Sequence, residues 1–421
     1  MENNAVKQPA VPSALKYRNR ELILNCFRDH QEHTVADIVT RTGISKLTVM
    51  RAIQFFCTKN ILISSGKGES TEQGGKRPEY FRLGLKKYLL TIMLWPESLG
   101  LTLFNMDLQE VRRSSLSWII PATPEQAFAF VRAQSMALLS QAGIGCSDLY
   151  GVSLSTSGIV DYDSLVLKYS VHSPEWGNDI PVGDFLKAIF GDIPCYFIEN
   201  AGKSISRAIL AEQDDPNRRI LVLFTSWGLS GALIQDGKIL SGRDSLIGEV
   251  GHMILNPADT ELCSCGSYGC IERLVSIARL RKHIATNPPP ATSPLSKLAP
   301  EAVTWNHLFF ASQQGDPYAR TYGAFLADCF SALIRNVALV FNPEAVVFVG
   351  DFAIADDYFN HRMQEKFRQF HYLATSMPLE VHYDTRLLSE LDARGGACAM
   401  LDHFFTDPSI FEDLQRTEDN P

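Results

Sequence analysis

The run from Gly248 to Glu272, GEVGHMILNPADTELCSCGSYGCIE, sets the tightest limit on how this chain folds. It places His252, Cys263, Cys265 and Cys270 in one short segment, and thiolate with imidazole is the ligand set that zinc prefers in a tetrahedron. Four protein ligands leave no open position for a catalytic water, so the expected cofactor is a structural Zn2+ that pins the loop. Two glutamates flank the ligands. If the metal fixes the loop, Glu249 and Glu272 are held at fixed points where their carboxylates can accept hydrogen bonds from a ligand.

The other six cysteines, Cys26, Cys57, Cys146, Cys195, Cys329 and Cys398, stand singly among apolar neighbours and read as small buried hydrophobes. With no apolar stretch in the opening MENNAVKQPAVPSALKYRNR and no run long enough to span a bilayer, the expectation is a cytoplasmic chain with reduced thiols and no membrane partner. A length of 421 residues, 45% of them hydrophobic, allows more than one domain.

Charge divides the chain. The first 86 residues hold 14 Lys and Arg against 8 Asp and Glu, a net of +6. The rest hold 39 − 14 = 25 against 47 − 8 = 39, a net of −14. A basic head on an acidic body predicts that the head alone meets a polyanion. In that head, ELILNCFRDH, TVADIVTRTG and SKLTVMRAIQFFCTKN read as three short helices, with apolar faces at Leu22, Ile23 and Phe27, at Ala36 and Val39, and at Val49, Ile53 and Phe56. Gly43 makes the turn and Ser45 the N-cap of the third helix. Two strand-like pieces follow, Ile61 to Ser64 and Glu79 to Leu83, around a glycine-rich basic loop. The pattern is a winged helix-turn-helix expected to bind double-stranded DNA. Ser45, Lys46, Thr48 and Arg51 belong to its recognition helix, and Lys76 and Arg77 to its wing.

From about Tyr88, strand-like runs (YLLTIML, LGLTLFNMD, DLYGVSLSTSGIV, CYFIEN, RILVLFTSWGLSGALIQDGKIL, EAVVFVG) alternate with helical ones, an α/β pattern with two sheets or lobes. GEVGH followed by CSCGSYGCIE, with SGIVD, FIEN, GDPYA and NPEAVVFVG elsewhere, resembles the ROK family of repressors and sugar kinases. The resemblance runs from about Tyr88 to Phe405. It implies an α/β, actin-like two-lobed sugar-kinase (ROK) fold preceded by the winged helix-turn-helix. The expected domains are 17–86 for DNA binding, 87–405 for the ROK-type ligand-binding part with its zinc loop, and 406–421 as a C-terminal tail. It further implies ligand contacts from Gly158, Asn200, Glu249, His252 and Glu272, zinc at the four positions above, and a homodimer or dimer of dimers.

The same resemblance separates a regulator from an enzyme. The family's catalytic aspartate follows Glu-Asn, but here Glu199 and Asn200 are followed by Ala201, and a methyl group takes no proton. The first phosphate turn is replaced by WPESL, the second reads SWGLSG, and the late glycine pair reads Gly350-Asp351. No catalytic residue is therefore assigned. The expectation is a transcriptional regulator, of the repressor kind, of carbohydrate metabolism genes, which binds a palindromic operator and responds to a sugar or sugar-derivative effector. An active ATP-dependent sugar kinase and a ligand-free scaffold are the alternatives. A modified sugar, a phosphorylated sugar or no effector at all remain open.

Overall fold

The structure, a computed structural model, describes residues 12–68, 77–121, 123–170, 172–370 and 379–412. The head contains helices Pro12–Asn25, Val35–Thr42 and Lys46–Thr58. Thr34 and Asp37 form a reciprocal capping box at the second helix, and Gly43 ends it in the left-handed region at φ 68°, which a residue without a Cβ adopts freely. A three-stranded antiparallel sheet follows in the order His33–Thr34, Glu79–Leu83, Leu62–Lys67. Two expected face residues point the other way: Leu22 and Ala36 are exposed, while Ile23, Leu24, Phe27 and Ile38 fill the core with Val49, Ile53 and Phe56. Lys76 lies outside the described residues.

The body holds two five-stranded sheets of identical topology. In the first, chain order runs Tyr88–Leu94, Ser98–Asn105, Glu110–Ser117, Leu149–Thr156, Cys195–Asn200; in the second, Ile220–Thr225, Leu229–Gln235, Lys238–Ile239, Ala345–Gly350, Glu380–Asp384. Each sheet has spatial order 3-2-1-4-5, an antiparallel meander flanked by two parallel strands. The central strands read as continuous apolar runs because both of their faces are covered. The sequence reading missed Glu110–Ser117, at the end of the meander, and Glu380–Asp384, at the end of the parallel series; both are mostly polar and neither is buried.

Helix Leu388–Thr406 is the spine of the molecule. It packs on helix Ala201–Ala211 and on strands of the first sheet, and it continues into the short helix Pro408–Phe411. Residues 406–412 are therefore not a free tail. Ile410 and Phe411 are buried against the head, Arg20 donates to the Phe411 carbonyl, and Lys59 Nζ donates to the Glu412 carbonyl at 2.7 Å. Spine and head share one hydrophobic cluster that includes Phe56, Phe404, Phe405 and Phe411. Among the described residues no helix is long and apolar enough to cross a membrane.

Two adjacent glycines set how closely the spine approaches. A Cβ on Gly395 would stand 1.7 Å from the Ser204 carbonyl oxygen, and one on Gly396 would stand 2.4 Å from Ser153 Oγ. Gly395→Ala is expected to force backbone apart and destabilise the chain by roughly 1–3 kcal/mol, although alanine is the better helix former. Urea unfolding of the variant checks this. An unchanged midpoint would mean that the close approach is not required.

Candidate functional site

The loop bearing the expected metal ligands is pressed against strand Leu229–Gln235. A Cβ on Gly248 would stand 2.0 Å from the Gly231 carbonyl oxygen, and one on Gly251 1.9 Å from that of Leu229, so GEVGH needs both glycines to lie this close. His252 ends the turn Val250–His252, and Cys270 directly precedes the helical turn Ile271–Leu274. The ligand atoms of His252, Cys263, Cys265 and Cys270 all lie within 4.8 Å of one another. Cys263 Sγ is 3.5 Å from His252 Nδ1, and Cys265 Sγ is 3.5 Å from Cys270 Sγ. A tetrahedral ion bonded to sulfur at about 2.3 Å needs edges of about 3.7 Å, so the four groups, two pairs at 3.5 Å and all within 4.8 Å, would close onto such an ion with shifts of up to about 1 Å. His252 turns Nδ1 to this cluster and holds Nε2 3.9 Å from Glu249 Oε2. One ring thus links the cluster to the neighbouring cavity.

That cavity, of about 830 Å3, lies between the two sheets and brings together all five expected ligand residues, Gly158, Asn200, Glu249, His252 and Glu272. They do not all point at the space in the same way. Asn200 caps helix Ala201–Ala211, accepting from Gly202 N at 2.9 Å through Oδ1 and donating to the Gly158 carbonyl at 2.9 Å through Nδ2. These bonds use one donor and one acceptor of the amide, so Asn200 positions the Gly158 loop and keeps its second N–H and second lone pair for a ligand in the cavity it lines. Glu272 accepts from the backbone N–H of Leu229 through Oε2 at 3.0 Å. Burial pushes the Glu249 carboxyl up, against the opposing pull of His252 and Lys203. Burial likewise pushes His172, another lining residue, toward its neutral form.

Trp95 and Trp227, which the sequence reading left without a role, also line the cavity. Each stands in the turn that follows the first strand of its sheet, and the shared topology brings the two turns face to face. The indoles meet edge to face with centroids 4.9 Å apart and planes at 71°. The signal in the sequence was a tryptophan in both WPESL and SWGLSG, but only the pairing of the lobes gives it meaning.

Trp95 is anchored from behind by the spine. Its Nε1 donates to Asp392 Oδ2 at 2.8 Å, and Ser155 Oγ donates to the same oxygen at 2.5 Å. Complete burial, with repulsion from Glu199, pushes the Asp392 carboxyl up to about 6 despite these donors. A carboxyl raised above its unfolded value favours folding below the unfolded value and loses that contribution as pH rises through about 6. Asp392→Asn is therefore expected to remove a fall in stability, roughly 1–3 kcal/mol between pH 4 and 7, relative to wild type. Urea midpoints measured across that range test it; parallel pH profiles for the two proteins would contradict the assignment.

In the head, Lys46 and Arg51 are exposed on the outer side of helix Lys46–Thr58, as expected. Arg77 is also exposed, at the edge of the described wing. Ser45 and Thr48 serve the cap instead: Ser45 Oγ accepts from Thr48 N at 3.4 Å, and the two hydroxyls are 2.9 Å apart. The sequence reading missed Leu47 and Met50, large apolar side chains 59% and 50% exposed, and the exposed Gln54. With Arg51 they occupy spacings i, i+3, i+4 and i+7, one outward stripe of the helix.

Comparisons with known proteins agree with this geometry. Residues 99–401 match the family described as the ROK family. The glucokinase of Thermotoga maritima is 28% identical over 51% of this chain and 68% of its own length. The xylose repressor of Caldicellulosiruptor bescii is 22% identical over 87% of this chain and 91% of its own length. A solved ROK family transcriptional regulator, described as a homologue of the E. coli MLC protein, superposes with TM-score 0.78 at 17% identity over 94% of this chain and 99% of its own. At 94% coverage the regulator's superposition takes in most of the head as well as the body. A paired 3-2-1-4-5 architecture, a Cys3His loop at the mouth of its cleft and a family match across both lobes make this chain a member of the ROK family.

Proposed function

We propose that the protein is a DNA-binding transcriptional regulator, a repressor of sugar metabolism genes, whose cleft binds a sugar or sugar-derivative effector without catalysing its phosphorylation. Supporting this, the xylose repressor and the ROK regulator are similar over most of the chain, 87% and 94% of it. The division proposed is a DNA-binding head, residues 17–86, and a ligand-binding body from 87, acting in the cytoplasm as a homodimer or dimer of dimers on a palindromic operator. A structural Zn2+ held by His252, Cys263, Cys265 and Cys270 would fix the loop that carries Glu249 and Glu272.

One observation carries the reading: cleft and head share a helix. The spine holds Trp95 through Asp392 near one end, and near the other Asp402 pairs with Arg28 while Phe405 lies under the Arg28 guanidinium, centroid at 4.7 Å. The ten residue steps from Asp392 to Asp402 span about 15 Å of helix. An effector that favours one position of Trp95 biases the spine, and the spine biases the spacing of two heads against their half-sites. The kinase reading rests on similarity to glucokinase and gains nothing from the cleft, where Ala201 replaces the base.

Selection of bound duplexes from a random pool, followed by titration across salt, tests the proposal. Binding to an enriched palindrome should fall steeply with salt, because phosphate contacts release counterions. Arg51→Ala should cost about 1–3 kcal/mol if the guanidinium reads a base edge. Absence of sequence preference at physiological salt would sink the regulator reading.

A further inference from the structure

We propose that the cleft takes a two-ring glycoside rather than a single sugar: one ring at Glu249, His252 and Glu272, the second, a sugar or an aryl group, against Trp227 beside Trp95. This rests on the reading of the cleft as a carbohydrate site. The cavity of about 830 Å3 falls in the upper part of the range that holds drug-sized ligands, about 300–1,000 Å3, and exceeds what one pyranose ring fills.

Its walls are of two kinds. Carboxylates and an imidazole come from the Cys3His loop, and they suit the hydroxyl edge of a sugar. Trp95, Trp227 and Phe224 come from the turns and strand end at the floor, and they suit the C–H face of a second ring. The aromatic wall is also rigid. Trp95 is 7% exposed, its Nε1 is fixed by Asp392, and its carbonyl accepts from Trp118 Nε1 at 2.8 Å. Little ordering is then required of it when a ring docks. Trp227 is half-buried and offers the accessible indole.

Charge argues against a phosphate ester as the second group. Among the described lining residues Glu249 and Glu272 share the wall with one guanidinium, Arg273; the Lys203 ammonium that also pulls on Glu249 donates to Tyr162 Oη and the Ser245 carbonyl, and the Leu229 N–H is already taken by Glu272. The methyl group of Ala201 belongs to the apolar cluster that contains Trp95, with Trp227 packed against it. An uncharged ring matches these surroundings; an anion does not.

Calorimetric titration of the full chain with glucose and galactose, then with cellobiose, maltose, lactose and the 4-nitrophenyl glucosides and galactosides, provides the test. At least one two-ring compound should bind about tenfold or more tightly than its parent monosaccharide. Trp227→Ala should abolish that advantage without changing monosaccharide affinity, and Trp227→Phe should retain most of it, which separates a ring contact from general damage to the fold. Equal affinity for parent and glycoside, or an equal loss of both in Trp227→Ala, would overturn the inference while leaving a sugar site in place. Binding of none of these compounds would remove the carbohydrate reading itself, and the inference with it.

Discussion

Replacing Cys270 with serine is expected to strip the chain of zinc and to abolish its response to effector, leaving the DNA-binding head folded. Cys270 is fully buried, and it directly precedes the turn that carries Glu272 and Arg273. Structural zinc in small domains contributes apparent free energies of about 10–16 kcal/mol, so loss of one thiolate should cost several kcal/mol locally. Leu255, Asn256 and Ile271 hold the loop by backbone hydrogen bonds, which limits how far the damage spreads. Glu272 would then lose its register against the Leu229 N–H. Elemental analysis should find about one zinc per chain in the wild type and much less in the variant, and a thermal scan should show an early transition absent from the wild type. Wild-type protein prepared without chelators that carries no metal would refute this account of the loop.

No ATP-dependent sugar phosphorylation is expected from the wild type, nor from Ala201→Asp. A positioned general base contributes about 10²–10⁴-fold, so its loss alone could leave a trace of turnover. The surroundings of the three turns that the family resemblance assigns to the nucleotide carry the rest of the expectation. The first carries Glu97 and is backed by the nearly buried Trp95. In the second, the Leu229 N–H is occupied by the Glu272 carboxylate. The third carries Asp351, whose carboxyl burial pushes up to about 6, so that it is mostly charged at neutral pH. The second turn thus offers a triphosphate a carboxylate in place of a free N–H, the first and third each carry an acidic residue, and phosphoryl transfer depends chiefly on positioning and on stabilisation of phosphate charge. An aspartate at position 201 would also place a charge among apolar side chains of the Trp95 cluster. A coupled ADP-release assay run beside nucleotide calorimetry measures this. Saturable ATP binding with sugar-dependent ADP release by the wild type would reverse the assignment.

The sequence by itself determined whatever depends on neighbours along the chain. The Cys3His cluster was readable because its four residues fall within one run, and the helix-turn-helix because Gly43, Ser45 and the 3.6-residue period of Val49, Ile53 and Phe56 are local signals. The buried strands were readable as apolar runs, and Cys195–Asn200 was read with its observed bounds. Polar edge strands were not, since Glu110–Ser117 takes its strand conformation from pairing with Ser98–Asn105 and not from a pattern of its own. Tertiary structure alone decided the rest. Asn200 gained a positioning task beside the expected ligand contact because the backbone groups of Gly158 and Gly202 lie within reach of its amide. Residues 406–412 became part of the head's support because Phe411 and the head's Phe56 complete one apolar cluster. Trp95 and Asp392 are 297 positions apart, and Trp95 and Trp227 sit on different lobes. No local period links such residues. Burial brings them together, because the cavity's floor is made only when two separately folded sheets close on each other and the spine helix seals the seam between them.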